Sequence, residues 1–326
     1  MFIRKAPKTS SKYAISELEK VMIGNIEQWI YIRGENRNHP VLLMLHGGPG
    51  TGQIGFIRPF QQELEKHFVV VQWDQRGAGL SYSKKIPPQS MNINQFVHDT
   101  IEVTQHILKQ LNKKQLYLAA HSWGTIIGML AISHTPKLFK RYFGLSQVAH
   151  LADHERFSYM KVLEKAKRTD REKAYKELTQ IGPPPWDDLK HGRVHQKYVE
   201  AFGGGITRDG KMVNKILFGL LMSKEYTLFD CFRYFKGMYF SLNHLQAEMR
   251  KMDLKKQIDR VDVPIYFIMG RHDLTAPFKP TKSFFDEIDA PEKQWIWFEN
   301  SAHTPSLEEP EKFMKIIIKE VSRDRL

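Results

Sequence analysis

Leu116-Tyr117-Leu118-Ala119-Ala120-His121-Ser122-Trp123-Gly124 decides the fold: a short, nearly unbroken apolar run stops at a small cluster of polar and turn residues, and a helix-like segment starts at Gly124. A continuous run of this length reads as a strand buried on both faces, as in parallel sheets. The same pattern recurs on either side. Residues 40–45 (PVLLML) end at His46 and Gly47, residues 68–73 (FVVVQW) at Asp74, and residues 263–269 (VPIYFIM) at Gly270. Residues 26–33 (IEQWIYIR) alternate like a half-exposed strand, and 294–298 (QWIWF) read as a last one. Helices are expected near 53–66, 92–112, 124–135, 278–288 and 310–323. This alternation predicts a mostly parallel central sheet with helices on both faces. Function in such sheets collects at the carboxyl ends of the strands. The stretch 150–260 breaks the alternation, with many helix formers, Pro183-Pro184-Pro185 and Gly203-Gly204-Gly205. It is expected to be a helical cap over a core built from 1–149 and 261–326, in the place of a lid.

Composition narrows the function classes. A hydrophobic share of 41% in 326 residues is enough for a substantial core. No apolar run reaches the length of a membrane span, so no membrane partner is expected. Met1–Lys12 is basic but no apolar segment follows it, so a secretory signal is not expected. The single cysteine, Cys231, lies among phenylalanines and excludes an internal disulfide framework. It reads as a packed thiol in a cytoplasmic protein. The net charge of +13 is spread along the chain. With no like-charge block and no zinc-finger, RNP or helix-turn-helix signature, nucleic acid is not an expected partner.

The residues after each strand carry the chemistry. In Ala120-His121-Ser122-Trp123-Gly124 the spacing is that of a nucleophile elbow, G-x-S-x-G, with Ala120 at the first glycine. A competing reading makes Ser122 an ordinary helix N-cap. His46-Gly47-Gly48-Pro49-Gly50 is a glycine-rich turn able to aim backbone N–H groups at an oxyanion. Gly48 is the candidate first donor, and Trp123, which follows the serine, the second. Gly50-Thr51-Gly52-Gln53-Ile54-Gly55 imitates a dinucleotide fingerprint but starts too late after its strand. A serine needs a base, and the base an orienting carboxylate. Asp273 and His303 follow two late strands in the order Ser, acid, His. His121 is expected to face away from the serine, and His150 with His154 to form a surface pair. In Asp74-Gln75-Arg76-Gly77 the Asp and Arg are expected to pair across a turn, with Arg76 acting only indirectly.

Taken together, these residues resemble the proline iminopeptidase branch of the α/β-hydrolases: HGGPG (46–50), DQRGAGLS (74–81), S-W-G (122–124), G-R-x-D (270–273) and the late His303. The resemblance spans about 20–148 and 262–320. It implies the α/β-hydrolase fold with a helical cap, and cleavage of an N-terminal residue, often proline, from short peptides or arylamides. The expected chemistry is a Ser122–His303–Asp273 triad working through an acyl-enzyme, with no metal or organic cofactor. The family holds the substrate's amino group with acidic cap residues, and Glu200 is the candidate here. Trp186, Tyr226, Phe229 and Tyr239 are the aromatic candidates for the pocket. A carboxylesterase or lipase-like enzyme and a non-catalytic binding protein are the alternatives. Oligomeric state is not legible at this level.

Overall fold

The apolar runs lie side by side in one eight-stranded sheet: β1 (Ile15–Ile23), β2 (Ile26–Gly34), β3 (Val41–Leu45), β4 (Val69–Asp74), β5 (Leu116–His121), β6 (Phe139–Leu145), β7 (Ile265–Gly270) and β8 (Lys293–Phe298). The computed structural model describes residues 4–7, 11–186 and 188–324. The sheet order is β1-β2-β4-β3-β5-β6-β7-β8. β1 and β2 are antiparallel to each other, and β2 to β4. All later neighbours are parallel.

Side-chain alternation divides the core in two. Leu116, Leu118 and Ala120 of β5 pack on one face, Tyr117 and Ala119 on the other, as a period of two requires. The first face is covered by α2 (Ile93–Gln110), α3 (Trp123–His134) and α10 (Phe278–Glu287), the second by α1 (Arg58–Glu65) and α12 (Pro310–Arg323). Among the described residues, six helices lie between β6 and β7: α4 (Leu151–Arg168), α5 (Glu172–Ile181), α6 (Leu189–Ala201), α7 (Lys211–Leu221), α8 (Leu228–Lys251) and the short α9 (Leu254–Gln257). A one-turn α11 (Pro305–Glu308) precedes α12. Among the described residues no helix is long and apolar enough to cross a membrane.

Two strands escape the sequence pattern. β1 is an edge strand with Glu17, Glu19 and Lys20 in its register, so its apolar signal is diluted. β6 carries Lys140 and Arg141. Arg141 is buried, and its guanidinium donates to Asp324 at 3.0 and 2.7 Å and to Glu292 at 2.9 Å. A buried charge is tolerable only when paired in this way. The first helix starts at Arg58, later than its pattern suggests, because 50–57 is a glycine-containing loop.

The strand order reverses at β3, with β4 on one side and β5 on the other. That makes the carboxyl ends of β3 and β5 the switch point where such sheets hold ligands. The turn from β5 into α3 is tight: a Cβ on Gly124 would stand 2.7 Å from the Leu45 carbonyl oxygen. Ala120, at the elbow's first glycine, lies against Gly128, where a Cβ would stand 3.0 Å from the Tyr142 ring and 3.2 Å from the Ala120 methyl. Gly128→Ala is therefore expected to destabilise the fold by about 1–3 kcal/mol, the usual cost of overpacking. Ala120→Gly should recover part of that loss in a double-mutant cycle read by urea denaturation; no recovery would refute the compensation.

Candidate active site

Ser122 sits between β5 and α3 with φ 52° and ψ −119°. A non-glycine residue seldom adopts this conformation, and where it does the surroundings hold it there. An N-cap residue is normally extended and accepts a bond from its own helix. Ser122 makes no capping bond. Its Oγ lies instead 2.9 Å from His303 Nε2. That geometry removes the helix-cap reading.

His303 and Asp273 reach the same point from the ends of β8 and β7. His303 Nδ1 lies 2.9 Å from Asp273 Oδ2. The other carboxylate oxygen accepts the amides of Thr275 at 2.9 Å and Ala276 at 2.8 Å. Burial pushes the Asp273 carboxyl up, but His303 and the Ala276 amide outweigh it and hold it below the usual carboxylate range. The loops carrying both residues are tied to the loop that follows α6. The carbonyl of Gly204 accepts the Leu274 amide at 2.9 Å, and that of Gly205 the His303 amide at 3.2 Å.

His121 is turned toward the loop that carries His303. Its Nε2 donates to the His303 carbonyl at 2.7 Å, and Ser146 Oγ reaches the same oxygen at 3.0 Å. The glycine turn after β3 is locked to the elbow through Gln75. The Gln75 amide donates to His46 Nε2 at 3.1 Å, and its side-chain nitrogen donates to the His46 carbonyl at 3.0 Å. Its side-chain oxygen accepts the Trp123 indole at 2.9 Å. His46 Nδ1 therefore carries the proton and donates to the Gly47 carbonyl at 2.8 Å. Gly48 and Trp123 both border the cavity that contains Ser122 and His303. The Trp123 amide is the first of α3 and has no carbonyl four residues back to receive it.

The expected Asp74–Arg76 pair does not form. Arg76 pairs with Asp99 of α2 at 2.8 and 3.1 Å. Asp74 instead accepts the Leu80 amide at 2.8 Å and the Tyr226 hydroxyl. Burial raises its carboxyl to about 6. The glycines of 50–55 serve close packing. A Cβ on Gly50 would meet the α8 backbone at 2.8 Å, and one on Gly55 would meet Leu220 and Tyr226 at 2.9 Å. His150 and His154 are not a surface pair, because His154 is fully buried and its Nε2 accepts the Ala149 amide at 3.2 Å. Cys231 is a buried free thiol.

Above Ser122 lies a cavity of about 410 Å³. Trp186 and Tyr239 line it. Three other pocket candidates lie elsewhere. Tyr226 is buried on Asp74 beneath the glycine loop. Phe229 is 72% exposed on α8. Glu200 accepts the Ile206 amide at 3.2 Å and Gln196 at 3.0 Å, holding the 203–206 turn one helical turn beyond the cavity. Among the described residues, the carboxylates that line the cavity are Glu155 and Asp188. Both are engaged: Glu155 accepts three bonds of 3.1–3.2 Å from Arg250, and Asp188 caps α6.

Residues 40–185 match the family model described as the alpha/beta hydrolase fold. The chain is 42% identical over 304 residues to the probable aminopeptidase YbaC of Bacillus subtilis (strain 168), covering 93% of this chain and 95% of that one. It belongs to the α/β-hydrolase family, in its proline iminopeptidase branch. It is also 24% identical to the proline iminopeptidase of Clostridioides difficile (strain 630), over 88% of this hydrolase and 91% of the relative. In fold it is similar to the crystal structure of proline iminopeptidase from Mycobacterium smegmatis, with a TM-score of 0.69 and 17% identity over 94% of this chain and 98% of that one.

Burial of four histidines is expected to lower the stability of this hydrolase in acid. Desolvation pushes His46 and His154 down to about 4, His121 to about 3 and His195 to about 4. Each has a folded pKa below its unfolded value of about 6.5. Below that pH the unfolded chain binds more protons, so stability falls as pH falls and levels off near 4. Each histidine costs on the order of 1 kcal/mol per pH unit in that window. Four together rival a total stability of about 5–15 kcal/mol. Asp74, raised to about 6, acts in the opposite sense between pH 4 and 6, but it is one group against four. Urea midpoints should drop steeply between pH 6.5 and 5; a flat profile would contradict this account.

Proposed function

We propose that this protein is a serine hydrolase that releases N-terminal residues from short peptides through an acyl-enzyme. The observation carrying the reading is the pair of 2.9 Å contacts that run from Ser122 Oγ to His303 Nε2 and from His303 Nδ1 to Asp273 Oδ2. In this mechanism His303 takes the Ser122 proton as the oxygen attacks the carbonyl, then returns it to the leaving amine. Asp273 fixes the imidazole with its proton on Nδ1. The amides of Gly48 and Trp123 receive the oxyanion. Water, activated by the same histidine, releases the acyl group. The peptidase half of the reading draws on relatives named as aminopeptidases.

His195 supports recognition of an N–H donor. It lines the cavity, with Nε2 3.0 Å from Ser158 Oγ. Ser158 gives its hydrogen to the Leu274 carbonyl. His195 Nε2 must therefore donate, which makes Nδ1 the acceptor nitrogen of the neutral ring. Burial keeps the ring neutral, at about 4. A neutral acceptor here suits the free amino or imino group of a substrate. His195→Phe is expected to raise KM for a prolyl arylamide about 5- to 10-fold, the worth of one neutral hydrogen bond. Its kcat should change little, and a short-chain nitrophenyl ester should be hydrolysed as before. Equal losses on both substrates would remove His195 from recognition.

One observation favours a second reading, a carboxylesterase: among the described residues, the two carboxylates lining the cavity, Glu155 and Asp188, are already engaged. Comparing the prolyl arylamide with the ester on the wild-type protein separates the two. Ester turnover without arylamide turnover would overturn the peptidase assignment and keep the triad.

A further inference from the structure

α8 is apolar around more of its circumference than the fold covers. One ridge, including Cys231, Tyr234, Leu245 and Met249, is buried against the protein. The adjacent ridge, Leu228, Phe232, Phe235, Tyr239 and Leu242, is 41–72% exposed. Its residues are spaced four, three, four and three apart, the heptad spacing of a seam between two helices. Phe229 beside it, and Phe218, Leu221 and Met222 at the end of α7, are also more than 60% exposed. With about 200 Å² for an aromatic side chain, the patch offers roughly 1,000 Å² of apolar surface. The largest patch on an ordinary monomer is about 300–600 Å². A standard interface needs about 800 Å² from each partner.

We infer that this ridge is the interface of a homodimer, with α8 of one copy packed on α8 of a second. The ridge is nearly symmetric about Phe235, which an isologous two-fold contact requires. An antiparallel copy sets Leu228 against Leu242 of the second copy and Phe232 against its Tyr239, with Phe235 at the axis. Lys236 beside the ridge keeps its ammonium in water at the rim. Tyr239 and Leu242 also line the cavity above Ser122. The second copy, arriving with its Leu228–Phe229 end at that point, completes the outer wall of the site. A walled site admits short, extended substrates and excludes folded chains. Only this last consequence rests on the proposed reaction; the dimer does not.

Sedimentation velocity over a series of protein and salt concentrations tests it. The expected species is a dimer of twice the 38.2 kDa chain. Added salt should tighten it, because each copy carries a net charge of +13 and salt screens the repulsion. Phe232→Glu and, separately, Phe235→Glu should each raise the dimer dissociation constant about 100-fold or more, since every substitution acts on both copies. Both positions are solvent-facing in the single chain, so far-UV circular dichroism should be unchanged. Three results would overturn the inference: a wild-type chain that stays monomeric, a dimer indifferent to both substitutions, or a monomer that binds phosphatidylglycerol vesicles through the ridge and is released by salt.

Discussion

Ser122→Ala should abolish turnover, with a loss on the order of 10⁵–10⁶-fold in kcat. The size follows from the geometry. Ser122 Oγ is the atom His303 Nε2 addresses at 2.9 Å, and the cavity opens on both. Alanine keeps the Cβ and thus the unusual backbone at φ 52°, so the fold should survive with its melting temperature nearly unchanged. Covalent labelling by a fluorophosphonate should disappear in the same variant. If Ser122→Ala kept wild-type activity, the proposed chemistry would be wrong and another nucleophile would have to be sought. The helix-cap alternative makes the opposite forecast, lost stability with retained activity, and nothing in the Ser122 side-chain bonding supports it.

Asp273→Asn carries the second large effect, a fall in kcat of roughly 10⁴-fold. The two carboxylate oxygens have different duties: Oδ1 accepts the amides of Thr275 and Ala276, and Oδ2 faces His303 Nδ1. An asparagine has one oxygen to offer. Two amide donors outbid one imidazole, so that oxygen turns toward Thr275 and Ala276. The NH₂ group then points at His303 Nδ1, which must become an acceptor. The ring proton moves to Nε2, and His303 can no longer take a proton from Ser122. The loss should appear both in steady-state turnover and in the rate of fluorophosphonate labelling, with folding intact. An Asp273→Asn variant within tenfold of wild type would show that the imidazole is oriented by something else.

The sheet and the constellation at its rim were legible because both are written in local spacing. A buried apolar run followed by a turn marks a strand end, and Ser122, Gly48, Asp273 and His303 each follow such an end. The reading failed where the answer depends on which side of a helix faces inward. Tyr239 and Phe229 lie on one helix, yet Tyr239 lines the cavity and Phe229 faces out. Glu200 and Glu155 are equally plain acidic residues of helical segments, and only packing brings Glu155 to the cavity. Gln75 was passed over beside the charged residues of its own motif. A signal for it existed: an amide side chain directly after a strand buried along its whole length has to find partners there. His154 departs from the surface reading because a histidine in sequence does not declare whether its ring is solvated.

The carbonyls of Gly204 and Gly205 receive the backbone of the acid loop and of His303. The helical segment between β6 and β7 is thus spliced into the reacting end of the molecule and is not a cassette set on top of it. Over evolutionary time, helices α4 to α8 can change their inner surfaces and with them the preferred substrate, as long as this short turn and the other ties to the sheet, such as Tyr226 on Asp74 and Ser158 on Leu274, are kept. A graft from a relative would have to carry residues 203–205 in register, or it would exchange the substrate at the expense of the histidine that acts on it.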